Sequence, residues 1–597
     1  MRRAGLGDAL GIVVSLTALA YFPMQVDPAS FPKLMLLVIG GLAVAPFVLL
    51  RWLAPSRPSS WALVPCIAGA ALLLWSTLGT VLADAPWPTR LFGWFLRADG
   101  LLAIVAACIL LLGAATLDRD EVQRAIAWVV TGSAVAALLA VPQVLGSEFM
   151  APQVGTVTST FGQTNFSGAY FAISAVLALG LSLVVTSVPW RIANLAVALA
   201  CAYLAFRSDA LQGPMSLAAG LVMLGFGLVL AYRGRHRAAL LASSVVVLAL
   251  GLFVAVLGML AIGPLGFVGR DGNTTWRYAM WSQGWDTMNG HPIVGIGTGS
   301  FARYLSEFRS LESTIRVGEG MRPSAVHSIP LQFGIVGGWP ALLLWIALFA
   351  SVLVLLMMRI GRSPLARPAL GAVVLGALSG YVTQAIVSID VPPILAIGWL
   401  LAGLAVALVR DPLPLPETPA RVRPEAAVEV VPARTLVKAF TASIVLALLG
   451  GWAVWSQIQA VERVRNVASA DVLFAALADP MTPCAVRMEL ANSSLPGLPL
   501  REVVPAIRAA VAVDPRCPPV INLQSSVALA AGAVWLADES TSLGTTLDPQ
   551  AVASWALRKK YFDLAGDAAG AAGAQAQLDR INKAAADAAA ATAASAG

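Results

Sequence analysis

Long apolar stretches separated by short polar ones dominate the chain as far as residue 456. A bilayer core of about 30 Å is crossed by roughly 20 apolar residues in helical form. Thirteen stretches approach that length, and the one at 238–262 contains no charged residue. The pattern therefore predicts thirteen transmembrane helices, at about 8–26, 31–51, 61–83, 99–117, 122–144, 166–188, 191–206, 211–231, 238–262, 329–358, 366–388, 391–409 and 436–456.

The positions of arginine and lysine predict how these helices are oriented. Basic residues in short loops of membrane proteins collect on the cytoplasmic side. With the N-terminus inside, every short basic cluster lies inside, and the cluster at Tyr232–Arg237 does so only if the short stretch 191–206 counts as a span. An alternative for the N-terminus is a cleaved signal peptide ending near Ala18-Leu19-Ala20, which leaves the downstream orientation unchanged.

Three segments lie outside the predicted spans. Residues 263–328 form an outer loop of more than sixty residues, called the long loop below, and long connections are where function tends to reside. Residues 411–435 hold six prolines and are predicted to be a semi-rigid inner linker between a membrane domain, 1–410, and the last span, 436–456. Residues 457–597 form the C-terminal tail. Its helical periodicity weakly resembles a helical-hairpin repeat. After about residue 565 the tail is Ala-rich, and we expect this part to be a frayed helix or disordered.

Composition supports this architecture. The 597 residues are 58% hydrophobic and 12% charged, about half the charged fraction of a soluble domain. Such a chain could not cover its surface in water, and its five cysteines are too few for a disulfide scaffold. The net charge of +7 reflects topology rather than binding of nucleic acid. We therefore predict an all-α polytopic integral membrane protein with a large helical outer loop and a helical tail.

Cysteine, histidine and glycine patterns indicate little cofactor chemistry. Cys66, Cys108 and Cys201 lie in spans and are expected to pack as small apolar side chains, while Cys484 and Cys517 in the tail could form a disulfide, which the sequence leaves open. No grouping has metal-ligand spacing, so no metal site is expected. Glycines 295, 297 and 299 superficially resemble a nucleotide loop, but no strand precedes them, and they are interpreted as a tight connection between helices.

The long loop contains the residues best suited to chemistry. Arg277, Trp281 and Trp285 recur at i, i+4 and i+8 of a predicted helix, which places a guanidinium beside two indoles. His327, at the membrane boundary, could act as a general base. With Arg97 and Arg207 as further outer cations, this set suits an anionic, lipid-linked substrate. The alternatives are an interfacial helix with a snorkelling arginine and a structural interfacial histidine.

These residues resemble the O-antigen ligase and polymerase superfamily of bacterial envelopes, which also includes protein O-oligosaccharyltransferases. The resemblance extends in order over about residues 90–340, through Phe92-Gly93…Arg97-Ala98-Asp99-Gly100, Thr160-Phe161-Gly162-Gln163-Thr164-Asn165, Arg277-x-x-x-Trp281, His291-Pro292-x-x-Gly295-x-Gly297, Phe301, His327-Ser328-x-x-Leu331 and Gly334-Ile335-Val336-Gly337.

The resemblance implies transfer of a glycan from undecaprenyl pyrophosphate to an acceptor outside the inner membrane, with inversion and without metal or nucleotide. It assigns His327 as the base and Arg277 as the holder of the pyrophosphate, and the further substrate-binding residues are Arg207, Arg97, Trp281, Gln163 and Asn165. The family's second arginine falls on Asp209 in strict alignment, two residues after Arg207, and its usual Asn after the histidine is replaced by Ser328.

The acceptor distinguishes the activities within this superfamily. Ligases use lipid A-core, polymerases another carrier-linked unit, and oligosaccharyltransferases a protein serine; ligase or polymerase is favoured here, with protein glycosylation as the alternative. A transporter or flippase for the same class of lipid is the alternative of another class, disfavoured because the spans hold almost no mid-membrane charge and no two-fold repeat. The expected location is the inner membrane, in contact with membrane lipid, with the site and the tail facing the periplasm.

Overall fold

The computed structural model describes residues 5–23, 27–53, 60–150, 156–260, 262–263, 272–317, 323–362, 369–410, 432–464, 469–484, 486–487, 489–490 and 499–596. Over these ranges the secondary structure is helical, and no strand occurs in them. The predicted all-α class is therefore confirmed. Most of the predicted proline-rich linker, 411–431, lies outside the described residues.

Helices in the first half of the chain follow the apolar pattern. They are α1 (Leu6–Leu19), α2 (Ser30–Leu53), α3 (Val64–Leu82), α4 (Trp87–Phe92), α5 (Leu101–Ala114), α6 (Arg119–Val144), α7 (Thr164–Val184), α8 (Val188–Arg207), α9 (Gln212–Ala231) and α10 (Arg237–Met259). The second half contributes α11 (Gly272–Gly290), α12 (Phe301–Tyr304) and α13 (Leu311–Val317) in the long loop, then α14 (Ile329–Arg362), α15 (Ala369–Val387), α16 (Pro392–Arg410) and α17 (Ala433–Val464).

Within the described residues, eleven of these helices are long and apolar enough to cross a membrane, namely α2, α3, α6–α10 and α14–α17. They include α8. The sequence predicted this span mainly because it keeps the basic clusters on one side of the membrane. The other two predicted spans correspond to α1 and α5, which are apolar but only 14 residues long. At 1.5 Å per residue each measures about 21 Å, less than the hydrocarbon core. The chain is a multi-pass membrane protein.

The chain divides into two compact units. Unit 1 comprises Met1–Leu74, Leu102–Val256 and Leu343–Trp455, and unit 2 comprises Trp75–Leu101, Leu257–Leu342 and Ser456–Gly597. In unit 1, α9 packs closely against α15 because small residues face each other: a Cβ on Gly376 would lie 2.7 Å from the carbonyl oxygen of Gly220. Such small-residue contacts are the usual way in which membrane helices approach each other.

Unit 2 holds the long loop and the C-terminal tail. The tail consists of α18 (Ala470–Ala478), α19 (Leu500–Val513), α20 (Pro518–Ala530), α21 (Val534–Leu547), α22 (Val552–Ala565) and α23 (Ala568–Ala596), and from α19 onward each helix packs on the next. The last of them is helical to Ala596, where the sequence left a frayed helix or disorder open. Cys484 and Cys517, whose pairing was also left open, form a disulfide.

A repeat underlies the tail. Asp-Pro pairs begin at Asp479, Asp514 and Asp548, spaced 35 and 34 residues apart, and each follows the end of a helix. This period is typical of helical-hairpin repeats, in which each hairpin buries its apolar face against its neighbour. The first hairpins share a core of Leu473, Leu477, Val503 and Ile507.

Candidate functional site

Helix α11 brings two aromatic side chains to His327. The ring of Trp276 meets the imidazole edge-on, with 4.7 Å between ring centroids. The indole Nε1 of Trp281 donates a hydrogen bond of 3.1 Å to the main-chain carbonyl of His327. Arg277 and Trp281 are one helical turn apart on α11 and so share a face, as the sequence predicted.

The backbone of His327 has a conformation that is uncommon for a residue with a side chain. Its φ is +55°, in the left-handed region, and the residue is only 8% exposed. Within the part of the chain that the structure describes, the buried Nδ1 has no hydrogen-bond partner. The preceding amide, of Val326, is held by a 3.1 Å hydrogen bond to Oε1 of Gln332. Conformations of this kind cluster at functional sites, because the surrounding structure must supply the energy that maintains them.

Burial is the main influence on the protonation of His327, and two arginines add to it. Burial lowers its pKa to about 3, and the charges of Arg97 and Arg277 act in the same direction. An imidazolium in this place would be poorly solvated and repelled by both guanidinium groups. The imidazole is therefore neutral at physiological pH, which is the form that can accept a proton.

Arg97 comes from a short, strained connection between α4 and α5. Its neighbours Leu96 and Ala98 both have positive φ, of 67° and 55°. The guanidinium Nε donates a hydrogen bond of 2.8 Å to Oγ of Ser324, three residues before His327. Burial lowers the pKa of Arg97, while Asp99 acts in the opposite direction. Arg97 is thus joined to the same segment that carries the histidine.

The glycine-rich stretch after α11 packs against the beginning of α14. The amides of Ile296 and Gly297 donate to the carbonyls of Ile335 and Val336 at 2.9 and 3.1 Å. Gly295 has a φ of +65°, and a Cβ there would lie 2.4 Å from the oxygen of Ile335. The stretch connects α11 to α12, as its sequence suggested, and it supports the helix that follows His327.

The remaining histidine of the long loop has a packing role. The ring of His291 lies edge-on to Tyr304 and Phe308, at centroid distances of 5.3 and 5.7 Å. Within the described residues, one grouping has ligand atoms close enough to hold a metal, namely Cys484 and Cys517 with Asp514. Because the two sulfurs are joined in a disulfide, they offer no thiolate to a metal.

The loop that contains Gln163 and Asn165 belongs to unit 1, and a buried lysine of another helix binds its backbone. Lys33 of α2, only 2% exposed, donates to the carbonyl of Thr160 at 2.8 Å and to that of Ala20. Its ammonium also lies 5.6 Å from the centroid of the Phe161 ring. Gln163 and Asn165 follow at the start of α7, and both are half-buried.

Arg207 is the last residue of α8 in unit 1 and is half-buried. Asp209, which takes the place of the expected arginine, follows the helix with a φ of +55°. Unit 2 brings together four of the seven predicted site residues, Arg97, Arg277, Trp281 and His327; the other three, Arg207, Gln163 and Asn165, belong to unit 1. The roles of all seven stay predictions.

Sequence reasoning missed three residues, two beside the His327 segment in unit 2 and one at the loop of Gln163 and Asn165 in unit 1. Trp276 lies off the face that carries Arg277 and Trp281, yet it packs directly on the imidazole. Ser324 and Lys33 act through hydrogen bonds to distant segments, across 227 and 127 residues of sequence. For Lys33 a signal existed, because a lysine near the start of an apolar helix requires a partner.

Comparison with known families agrees with this description. Residues 157–346 match the family model described as O-antigen ligase. The matched range contains six of the predicted site residues, Gln163, Asn165, Arg207, Arg277, Trp281 and His327, and ends before the C-terminal tail. No curated protein sequence matches the chain at a significant level. Residues 157–346, about a third of the chain, are thus similar to the O-antigen ligase family.

Proposed function

We propose that this protein belongs to the O-antigen ligase and polymerase superfamily and transfers a glycan from undecaprenyl pyrophosphate to an acceptor hydroxyl at the periplasmic face of the inner membrane. The observation that carries the proposal is the buried imidazole of His327, whose segment is bonded to Arg97 through Ser324 and to α11, the helix of Arg277, through Trp281. A base and a fixed positive charge are the groups that such a transfer requires.

In the proposed reaction, His327 accepts the proton of the acceptor hydroxyl as its oxygen attacks the anomeric carbon of the donor sugar. The bond between that carbon and the pyrophosphate oxygen breaks on the opposite face of the sugar, so the configuration inverts. The electron pair leaves with undecaprenyl pyrophosphate, and the proton stays on the imidazole until it is released to solvent. Breaking this bond adds a negative charge to the departing pyrophosphate, which is the reason for proposing a guanidinium beside the base.

Arg277 is the residue that we assign to the pyrophosphate. Its planar guanidinium can bind two phosphate oxygens at once, and it is carried by the helix whose Trp281 holds the backbone of His327. Arg97 is already bonded to Ser324, so we assign it mainly to keeping His327 neutral. Arg207, Gln163 and Asn165 are proposed to contact the donor.

The acceptor is proposed to be lipid A-core or a second carrier-linked glycan, as in ligases and polymerases. A protein serine is the alternative, and it would use the same base and the same leaving group. Transport of the carrier lipid without chemistry is the alternative of another class. One experiment distinguishes these possibilities.

The experiment supplies the purified full-length protein with undecaprenyl-pyrophosphate-linked glycan and, separately, with lipid A-core, a second carrier-linked glycan or a serine-containing pilin-type protein. The glycosylated product identifies the acceptor. If the wild-type protein forms no product with any acceptor, glycan transfer is refuted and transport becomes the better explanation.

The base is tested with His327→Ala, for which we expect kcat to fall by about 10²-fold or more. The matched control is His291→Phe, which keeps an aromatic ring against Tyr304 and Phe308 and should retain a rate close to wild type. A His327→Ala protein with near wild-type kcat would show that another group takes the proton.

A further inference from the structure

The long loop buries two arginines that the proposed chemistry does not use. Arg303 in α12 is 1% exposed and Arg309, five residues after α12, is 3% exposed. Removing a guanidinium from water costs several kcal/mol unless a partner compensates it. Both partners come from the C-terminal tail, which lies beyond the matched O-antigen ligase range.

The two ion pairs use equivalent positions of the tail repeat. Arg303 donates from Nε at 2.9 Å and from Nη2 at 2.5 Å to Oδ1 of Asp514. Arg309 donates from Nη2 to Oδ1 and Oδ2 of Asp548 at 3.0 and 3.2 Å. Both aspartates belong to the Asp-Pro pairs that follow α19 and α21. Successive hairpins therefore each bind one arginine of the long loop.

A third tail residue adds a partly exposed contact beside them. The guanidinium of Arg516 donates to Glu307 at 2.6 Å and to Asp84 at 3.3 Å, and lies 4.2 Å from the centroid of the Tyr304 ring. Exposed pairs contribute little on their own. Here the contact extends the buried pairs, so the segment from α12 to Arg309 is held at three points.

The segment that the tail holds shares a buried hydrophobic cluster with residues of the candidate site. Phe301, Tyr304 and Leu305 share one buried cluster with Met280 of α11 and with Val326, the residue before His327. Because such a core is close-packed, a shift of α12 must be accommodated by α11 and by the histidine segment.

A second connection runs through α13. Arg309 is followed at once by Ser310, whose carbonyl accepts from the hydroxyl of Thr314 at 3.0 Å in α13. Ser313 of the same helix accepts a hydrogen bond from Nε2 of Gln283, which lies on α11 with Arg277. The aspartates of the tail are thus linked to both the base and the phosphate-binding helix.

We propose that the C-terminal tail is a positioning element of the transfer site, in which Asp514 and Asp548 hold Arg303 and Arg309 and so set the geometry of Arg277, Trp281 and His327. This inference rests on the proposed function. It gives the repeat turns a role in catalysis that acts through the long loop, without contact between the tail and the substrate.

The test compares three arginine substitutions in the full-length protein. Arg309→Met leaves Asp548 buried without its charge partner, and kcat should fall at least about tenfold, since small displacements of reacting groups are costly. Arg309→Lys keeps the charge and should recover most of that loss. The matched control is Arg558→Met, which breaks a more exposed pair with Asp538 inside the tail and should change kcat less than about twofold.

The proposal is overturned if Arg309→Met has the kcat of the wild-type protein. It is also overturned if Arg309→Met and Arg309→Lys both have the same reduced kcat. Should Arg309→Met fail to fold, Asp548→Asn replaces it, with the same tenfold loss expected and an unchanged kcat counting against the proposal.

Amide hydrogen exchange provides a readout that does not depend on activity. Faster exchange of residues 276–284 and 323–328 is expected in the Arg309→Met protein and not in the Arg558→Met protein. Unchanged exchange in these peptides would refute the positioning role, even if the wild-type protein transfers glycan. A wild-type protein that forms no product but shows this exchange difference would instead refute the proposed function alone.

Discussion

The indole N–H of Trp281 donates a hydrogen bond of 3.1 Å to the main-chain carbonyl of His327, across 46 residues of sequence. Two interpretations of this tryptophan follow from its position. The family resemblance implied a substrate-binding side chain, and the geometry adds a function for its nitrogen, which bonds to the left-handed backbone of the candidate base.

Trp281→Phe removes this hydrogen bond and keeps most of the ring. We expect a loss of about 1 kcal/mol of stability and a fall in kcat of about tenfold, because the imidazole is no longer held in one orientation. Thermal unfolding and steady-state kinetics measure the two effects. Trp285→Phe is the control, since Trp285 is 47% exposed and packs on Trp339. Equal kcat values for the two variants would contradict the positioning role.

Arg97→Met should change the pH dependence of transfer. Arg97 contributes to the pKa of about 3 at His327, so removing its charge raises that pKa toward the ordinary value. The base is active when neutral, and the acid limb of the kcat profile must therefore move to higher pH. A profile from about pH 3 to pH 8 includes both limbs and measures this shift. Arg501→Met, at an exposed position, should leave the limb where it is.

Gly295→Ala tests the close packing of the glycine-rich stretch against the beginning of α14. Alanine there would need a left-handed backbone and would place its Cβ 2.4 Å from the oxygen of Ile335. We expect a destabilisation of about 2 kcal/mol or more, measured as a lower unfolding temperature. Gly251→Ala in α10 is the control, because no atom lies within 4 Å of its added Cβ and alanine favours a helix. An undiminished stability of Gly295→Ala would refute the close packing.

Replacing both Cys484 and Cys517 by alanine should weaken the tail. The disulfide links residues 33 apart in sequence, and its loss should cost about 3 kcal/mol of tail stability. Denaturant unfolding with and without a reductant measures the difference. The reductant should destabilise the wild-type protein and have no further effect on the double variant. If the reductant affects neither protein, the bond does not contribute to stability.

Much of the membrane architecture could be predicted because hydropathy is a local property. Each of the thirteen predicted spans corresponds to a helix, including α8, which the distribution of arginines required. Length was less predictable, since α1 and α5 end after 14 residues although their apolar stretches are longer. Where a helix ends depends on its turns and neighbours, and hydropathy does not record them.

The candidate site was predictable in part, for the same reason. His327, Arg277 and Trp281 stand in recognisable motifs, and a helical period places the last two on one face. Trp276 and Ser324 reach the site through packing and a hydrogen bond across distant segments, and no local pattern indicates such contacts.

By itself the sequence determined the helical membrane class, the family resemblance and the few polar residues suited to chemistry, because apolar length and motif spacing are written along the chain. The tertiary structure alone decided that the pKa of His327 is lowered, since that depends on burial and on Arg97, 230 residues away. It also decided that the Asp-Pro turns of the tail bind the buried arginines of the long loop. Charges that are distant in sequence acquire their partners only when the chain folds.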